Sequence, residues 1–289
     1  MTENQPFCLV IPAHNEEAVI ARCLKTAARG APSPDSMEII VAANGCTDRT
    51  VEVAQKTAPQ ALILDLPTGS KTAAINAANH KATLYPRIYL DADVECDFQS
   101  LAAIAEALRE PSVMAAAPGI QIDLSHGSWF IRTYYAAWMK QPFAKSGKGG
   151  AGCYGLSRAA LEQVGEFPEI IGDDIWIHTR FSDDVKRVVD TDHEGRPVFS
   201  IVRPPATAWQ QVKVEARRMH GNAIVRRDHP SPYFAKKGQG GLGAVLRSGA
   251  SPEEAIVFCG VKALVRIEAK LSEWRGNSAK WTRDLSSRQ

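Results

Sequence analysis

The chain has 289 residues, of which 45% are hydrophobic and 23% charged, and these proportions exclude a disordered, collagen-like or coiled-coil protein. The net charge of +2 is an average over two unlike regions. Residues 203–289 hold sixteen Lys and Arg against seven Asp and Glu, a charge of +9, whereas residues 1–202 hold eighteen against twenty-five, a charge of −7. Six widely spaced cysteines, no signal peptide and no membrane-spanning segment favour a cytoplasmic protein.

The first third of the chain repeats an apolar run, a polar turn and a helical stretch. Strands are predicted over residues 7–11, 37–42, 61–64, 87–90 and 112–116, starting roughly 25 to 30 residues apart. Helix starts are predicted at Asn15, Thr47 and Ser70. This alternation predicts an α/β protein with a mostly parallel sheet and helices on both faces, whose ligands bind at the carboxyl ends of the strands.

Beyond residue 118 the alternation weakens. A short helix is predicted over residues 157–164, and Pro204 and Pro205 separate the basic tail from the body. In the tail, residues 230–252 are predicted to form a loop and residues 253–274 an amphipathic helix. The predicted division is therefore a domain over residues 1–205, with halves 1–117 and 118–205, followed by a basic segment over residues 206–289.

Two common nucleotide sites are excluded. A dinucleotide-binding domain needs Gly-x-Gly-x-x-Gly after the first strand, where this chain has Pro-Ala-His-Asn at residues 12–15. Gly-Ser-Lys-Thr at residues 69–72 imitates a P-loop, but the earlier glycine that a P-loop requires is Leu64. Asp91 and Asp93 instead follow an apolar strand, where a divalent cation could join both carboxylates to substrate phosphates.

A series of short motifs runs in order along the chain. It includes Val-Ile-Pro-Ala-His-Asn-Glu-Glu at residues 10–17 and Leu-Asp-Ala-Asp at residues 90–93. Further segments of the series lie at residues 44–50, 71–76, 152–158, 164–169 and 172–177. Together these motifs resemble the family 2 glycosyltransferases. The resemblance, from about residue 7 to 181, implies a GT-A fold, in which a Rossmann-like, mostly parallel sheet binds a nucleotide-sugar, and an inverting sugar transfer. Here a helical basic C-terminal extension follows.

The resemblance assigns a metal site and a catalytic base. Asp91, Ala92 and Asp93 correspond to the segment that contacts the donor ribose and diphosphate, with Mn²⁺ or Mg²⁺ bound chiefly by Asp93. Asp174 corresponds to the base that deprotonates the acceptor, beside Asp173 where the family usually has Glu. Asp173 is also explained as an acidic first turn that stabilises a helix.

The nucleotide pocket is predicted at the first two strand ends. In relatives, the residues that border the base and ribose are those equivalent to Pro12, His14, Asn15 and Glu16. Asn15 is equally typical of a helix N-cap. A UDP-sugar is the favoured donor, but Asn44 stands near the position of a carboxylate that reads uracil in relatives, so the base is left open. Lys71 is expected near the nucleotide or, alternatively, as a solvated helix lysine.

The basic tail has a predicted role at the donor and at a membrane. Arg217 and Arg218 resemble the arginine motif that covers the donor diphosphate, and His220 is either a further metal ligand or a surface histidine. The other positive charges suggest contact with anionic lipid at the inner face of the plasma membrane. The predicted acceptor is a saccharide or lipid-linked molecule of polysaccharide or cell-envelope biosynthesis.

Three other functions were weighed against this one. A nucleotidyltransferase of related fold would carry a glycine-rich loop with arginine after the first strand, which residues 12–17 lack. A nucleic-acid-binding module is disfavoured because the basic tail has no interleaved aromatics or known binding motif. A non-catalytic GT-A-like binding protein is disfavoured by the presence of Asp91, Asp93 and Asp174.

Overall fold

The computed structural model describes residues 5–145, 152–234 and 242–274. Within them the strands are β1 (Phe7–Ala13), β2 (Met37–Asn44), β3 (Leu62–Leu66), β4 (Arg87–Leu90), β5 (Ala115–Ile122), β6 (Cys153–Leu156), β7 (Lys186–Val189) and β8 (Phe199–Val202). The helices are α1 (Ile20–Ala27), α2 (Thr50–Thr57), α3 (Lys71–Lys81), α4 (Phe98–Ala107), α5 (Trp129–Met139), α6 (Pro142–Lys145), α7 (Arg158–Val164), α8 (Asp173–His178), α9 (Ala208–Asp228), α10 (Leu242–Arg247) and α11 (Pro252–Trp274).

One open sheet organises the strands in the order β3, β2, β1, β4, β6, β5, β7, with β8 paired to β5. The first four strands are mutually parallel, so their carboxyl ends meet at one edge. β6 runs antiparallel between β4 and β5. Every residue of β1 is buried, as expected for a strand covered by helices on both faces of the sheet. The predicted α/β class with a mostly parallel sheet is confirmed.

The helix starts follow the capping side chains. Ser70 accepts a hydrogen bond from the backbone of Ala73 and begins α3 at the predicted place. The first helix starts at Ile20 and not at Asn15, because Asn15 has a φ of 54° and its side chain is used elsewhere. Likewise α2 begins at Thr50, three residues after the predicted start, and the N–H of Thr50 donates to Asp48 Oδ1 at 3.0 Å.

The chain folds into two compact units, each with its own core. Unit 1 comprises residues 1–121 and 147–202, and unit 2 comprises residues 122–146 and 203–289. This division differs from the predicted boundary at residue 205, since residues 122–146 group with the C-terminal segment. The physical reason is the apolar side of α5, where Tyr134 and Ala137 are buried against α9 and α11.

Unit 2 is built from helices. Its core includes Val212 of α9 together with Phe258 and Val265 of α11. At the margin of this core Lys262 donates to Glu215 at 2.8 Å. The predicted loop over residues 230–252 contains α10, and residues 235–241 lie outside the described part of the chain. In the parts of the chain that the structure describes, no helix is long and apolar enough to cross a membrane.

Candidate active site

The loops after β1 and β2 are tied together at the carboxyl edge of the sheet. His14 Nδ1 is hydrogen-bonded to the carbonyl oxygen of Asn44. The Asn15 side-chain oxygen accepts hydrogen bonds from the backbone of Thr47 and Asp48, the latter at 3.2 Å. Asn15 therefore acts as a clamp between two loops and not as the cap of α1.

Two glycines allow a third loop to join them. Gly45 has a φ of 57°, and a Cβ on it would lie 2.6 Å from the backbone nitrogen of Gly69. A Cβ on Gly69 would in turn lie 3.2 Å from the ring of His14. The loops after β1, β2 and β3 can meet only because these two positions lack side chains.

The Asp-Ala-Asp turn after β4 is fixed by its backbone. The N–H of Asp91 donates to the carbonyl of Gly152 at 2.7 Å, and the carbonyl of Asp91 accepts from Val94 at 3.0 Å. Ala92 is buried, while Asp91 and Asp93 are half-buried. Gly152 has a φ of 86°, and a Cβ there would lie 3.0 Å from the carboxylate of Asp91. The turn thus presents its two carboxylates at the edge where the loops converge.

Lys71 joins the two acidic motifs. Its ammonium nitrogen lies 2.7 Å from Asp91 Oδ1 and 2.9 Å from Asp173 Oδ1. Burial lowers the pKa of Lys71, but the charges of Asp173 and Asp91 outweigh this effect and hold the pKa above its ordinary value. For Asp91, burial raises the pKa, Lys71 opposes the rise, and the net pKa lies above the usual aspartate range. Lys71 is thus held by two carboxylates and largely shielded from solvent, and its contact with the nucleotide stays a prediction.

The two adjacent aspartates of α8 have different surroundings. Asp173 is buried, and its second oxygen accepts a hydrogen bond from the Tyr154 hydroxyl at 3.0 Å. Asp174 is half-buried, and its Oδ1 accepts from the backbone of Ile175 at 2.8 Å. Among the residues that the structure describes, no cation forms an ion pair with Asp174. Asp173 therefore has both oxygens engaged by side chains, and Asp174 does not.

Tyr154 was not singled out from the sequence. It lies on β6, stacks on Tyr89 with ring centroids 5.1 Å apart, and is buried. Burial and then the negative charge of Asp173 raise its pKa, which keeps the hydroxyl protonated as a donor. A polar aromatic residue in an otherwise apolar strand was the available signal, because a buried hydroxyl usually has a partner.

The remaining predicted nucleotide contacts have clear places in the fold of unit 1. Asn44 is 2% exposed, and its amide donates to the carbonyls of Ala13 and Ala42 at 2.8 and 3.2 Å. Pro12 is buried within β1. Glu16 is also buried, and its N–H donates to the Thr50 hydroxyl at 2.6 Å. These contacts give each residue a role in holding the loops, and direct contact with a nucleotide stays a prediction.

The predicted residues of the basic tail belong to unit 2 and lie on α9. Arg217 is half-buried and Arg218 exposed, with an Arg218 nitrogen 3.5 Å from Glu215 Oε1. His220 Nδ1 lies 3.4 Å from Glu273 Oε1 of α11. Contact of these three residues with the donor or a metal stays a prediction.

The donor set after β4 is suitable for a hard divalent cation. The described residues contain no cluster of three or more His, Cys, Asp or Glu side chains that could hold a metal alone. Mg²⁺ and similar cations usually retain waters and are held by one or two carboxylates together with substrate phosphates. Asp91 and Asp93, half-buried at a strand end, fit such a site, which is completed by the substrate.

Comparisons with known proteins agree with the fold of the chain. A family model described as Glycosyl transferase family 2 matches residues 8–165, whereas no sequence among the curated proteins searched matches the chain. A mannosyltransferase from Pyrobaculum calidifontis, solved with GDP-Man and Mn²⁺, superimposes with a TM-score of 0.60 at 19% identity, covering 96% of this chain and 85% of that one. Glucosyl-3-phosphoglycerate synthase from Mycobacterium tuberculosis, solved with phosphoglyceric acid, gives a TM-score of 0.54 at 17% identity, covering 79% and 81%. At these identities the likeness shows a shared fold.

Proposed function

Because the chain belongs to glycosyl transferase family 2, and is thus a glycosyltransferase of GT-A fold as predicted, we propose that it is a metal-dependent, inverting enzyme. It moves a sugar from a nucleotide-sugar donor to a saccharide or lipid-linked acceptor. The observation that carries this proposal is the convergence of Asp91, Lys71 and Asp173 at the carboxyl edge of the sheet. The neighbouring Asp93 and Asp174 supply the two chemical functions that sugar transfer needs.

The donor diphosphate binds beside β4. Asp91 and Asp93 would hold Mn²⁺ or Mg²⁺ there. When bound, the cation would supply Lewis-acid chemistry that shields the negative charge of the leaving diphosphate. Support comes from the two half-buried carboxylates and from the mannosyltransferase neighbour, which was solved with GDP-Man and Mn²⁺.

Asp174 is the general base, and Asp173 positions the groups around it. A base must have an oxygen that can approach the acceptor hydroxyl and take its proton. Asp173 is buried and engaged by Lys71 and Tyr154. Asp174 is the more accessible of the two. One of its oxygens, Oδ1, accepts a hydrogen bond from the backbone of Ile175.

The base of the nucleotide is left to be identified by assay. A UDP-sugar is the first donor to test, and a GDP-sugar the second, since the mannosyltransferase neighbour was solved with GDP-Man. Asn44 gives little support to direct reading of the base, because its amide donates to backbone carbonyls inside the fold. Backbone groups of the loops after β1 and β2 are the better candidates.

The cellular setting is also a proposal. All six cysteines are free thiols, which fits the reducing cytoplasm. The charge of +9 in residues 203–289 supports peripheral contact with anionic lipid at the inner face of the plasma membrane. An enzyme so placed would serve polysaccharide or cell-envelope biosynthesis, where lipid-linked acceptors are found.

A panel of UDP- and GDP-sugars tests the activity, with hydrolysis and transfer measured in the presence of Mn²⁺, Mg²⁺ or a chelator. We expect turnover with one donor that the chelator abolishes. Asp93→Ala should lose metal-dependent nucleotide binding. Asp174→Asn should keep it but lose transfer by a factor of about 10² or more. Asp184→Asn, an exposed carboxylate of the same unit, is the matched control.

Three results would contradict the proposal. Release of pyrophosphate instead of nucleoside diphosphate would indicate a nucleotidyltransferase. Donor binding without turnover across a broad acceptor panel would indicate a binding protein. Near-normal transfer by Asp174→Asn would place the base elsewhere.

A further inference from the structure

Helix α11 is apolar on two opposite sides. One side faces the core of unit 2 through Ala255, Phe258, Val261, Val265 and Ala269. The other side is exposed, and we call it the outer face of α11; it consists of Ile256, Gly260, Leu264, Ile267, Leu271 and Trp274. Ile256, Ile267 and Trp274 are 65%, 55% and 85% exposed. A helix that needed only to cover the core of unit 2 would carry polar residues there.

The outer face is continuous. At 3.6 residues per turn its six members fall within about a quarter of the helix circumference, so they form one strip from Ile256 to Trp274. The exposed Glu253 lies on the same side and ends the strip at the N-terminus of α11. Exposed large hydrophobic residues are also concentrated in unit 2: among the described residues, fourteen are exposed, and Leu62 is the one that belongs to unit 1. Contiguous exposed apolar surface of this kind marks an interaction site.

An apolar strip of this kind can contact a second copy of the chain or a bilayer surface, and the charge of unit 2 distinguishes the two. The sequence of unit 2 holds nineteen Lys and Arg against eight Asp and Glu, a net charge of +11. Helix α11 itself carries four Glu against three Lys and Arg, so the excess positive charge lies elsewhere in unit 2, but Arg266 and Lys270 are exposed at one border of the outer face. A second copy of the chain would bring an equal positive charge against this one, which repels. A bilayer surface that contains anionic lipid attracts it.

We propose that the outer face of α11 lies in the headgroup region of a bilayer containing anionic phospholipid, with the helix axis parallel to the membrane plane. The apolar side chains enter the boundary between headgroups and acyl chains, as in other interfacial helices. Trp274 sits at the depth that tryptophan prefers, and Lys270 and Arg266 reach the phosphates from the border. This surface gives the membrane contact proposed above a defined location and rests on that proposal.

Flotation with vesicles tests this surface. The vesicles are pure phosphatidylcholine or a mixture of two-thirds phosphatidylcholine and one-third phosphatidylglycerol, at low and high salt. We expect the wild-type protein to float with the anionic vesicles at low salt and to bind them less at high salt. Ile267→Glu should reduce the partition coefficient by about tenfold or more, because it replaces a buried apolar contact by a charge. Leu62→Glu, which changes an exposed apolar position of unit 1, should bind like the wild type.

Two further measurements complete the test: light scattering reports whether the protein is a dimer, and donor hydrolysis reports whether it is active. Both variants alter exposed side chains, and circular dichroism checks that they fold. The proposal is overturned if the wild type ignores anionic vesicles, if Ile267→Glu binds them as well as the wild type does, or if the outer face proves to hold a dimer that Ile267→Glu dissociates. Hydrolysis without vesicles separates the two proposals: intact hydrolysis with no vesicle binding refutes only the membrane surface, and the reverse refutes only the transferase.

Discussion

Replacing Lys71 by methionine should destabilise the folded protein, because it removes the positive charge between two carboxylates of the site. The change keeps an unbranched apolar side chain that is one atom shorter, and it removes the charge that lies 2.9 Å from Asp173 and 2.7 Å from Asp91. Asp173 is 4% exposed and has little access to water. The variant would therefore bury a carboxylate without its countercharge, next to a second carboxylate.

The magnitude follows from the distance and the burial. With an effective dielectric constant of about 20, the attraction between Lys71 and Asp173 is about 6 kcal/mol, offset by several kcal/mol of desolvation for the two charges. Removing one partner of a buried pair costs about 3–5 kcal/mol. The pair with Asp91 adds little, since a third of that side chain is exposed. Asp173→Asn should cost less, about 1–2 kcal/mol, because Lys71 keeps Asp91 as its partner.

A double-mutant cycle isolates the pair. In Lys71→Met combined with Asp173→Asn, both charges of the buried pair are removed, and the half-buried Asp91 is the carboxylate left without Lys71. The cost should then fall about 2–3 kcal/mol short of the sum of the single changes. Urea unfolding gives the free energies, and hydrogen exchange of the β4 amides reports on unit 1 separately from unit 2. Lys81→Met, at an exposed position of the same helix, controls for loss of a charge from α3.

The pH dependence gives a second readout. Without Lys71 the two carboxylates repel, and the folded state raises the pKa of at least one above its unfolded value. Such a group binds a proton more readily when folded, so the variant should lose stability relative to the wild type as pH rises, and regain it in acid. Additive costs in the cycle, or a deficit that does not change with pH, would refute this account of the site.

Three further changes test other parts of the structure. Tyr154→Phe leaves an oxygen of the buried carboxylate without its donor, and we expect a loss of about 1–3 kcal/mol in urea unfolding and a lower kcat with little change in the KM for donor. Gly45→Ala should cost more than Gly30→Ala in thermal unfolding. Both glycines have positive φ, but only the Cβ at Gly45 meets backbone. Burial raises the pKa of Glu215 but Lys262 outweighs it and holds the net pKa below its ordinary value. The destabilisation caused by Glu215→Gln, about 1–3 kcal/mol near neutral pH, should therefore shrink as pH falls below the usual glutamate range.

The sheet, and the position of the candidate site at its carboxyl edge, could be predicted from the sequence because they depend on local patterns. Continuous apolar runs predict buried parallel strands, and the residues that end them must share an edge. Ser70 shows how far such reasoning reaches, since its side chain caps α3 as expected. Asn15 shows where it fails: the residue type fits a cap, but the side chain is used by a loop that is distant in the chain.

The interior of the site depended on contacts that no local pattern specifies. Nothing near Lys71 in sequence shows that its ammonium meets Asp173, or that Tyr154 holds the other oxygen of that carboxylate. The assignment of α5 to unit 2 has the same origin, because an aromatic amphipathic helix can pack on either unit and α11, on which it packs, begins more than a hundred residues later. Long-range packing decided these cases, and periodicity alone does not encode it.

The antiparallel strand β6 also has a consequence for the order of folding. The turn that carries Asp91 is held by the carbonyl of Gly152 at the start of β6, and all of residues 92–151 must be synthesised and looped back before that bond can form. Closing so long a loop is slow and entropically costly. The pairing of β1 with β2 closes a shorter loop and can therefore form earlier, while the site acquires its final shape late. A chain that stops before β6 would keep both carboxylates of the turn and still lack the backbone contact that aims them.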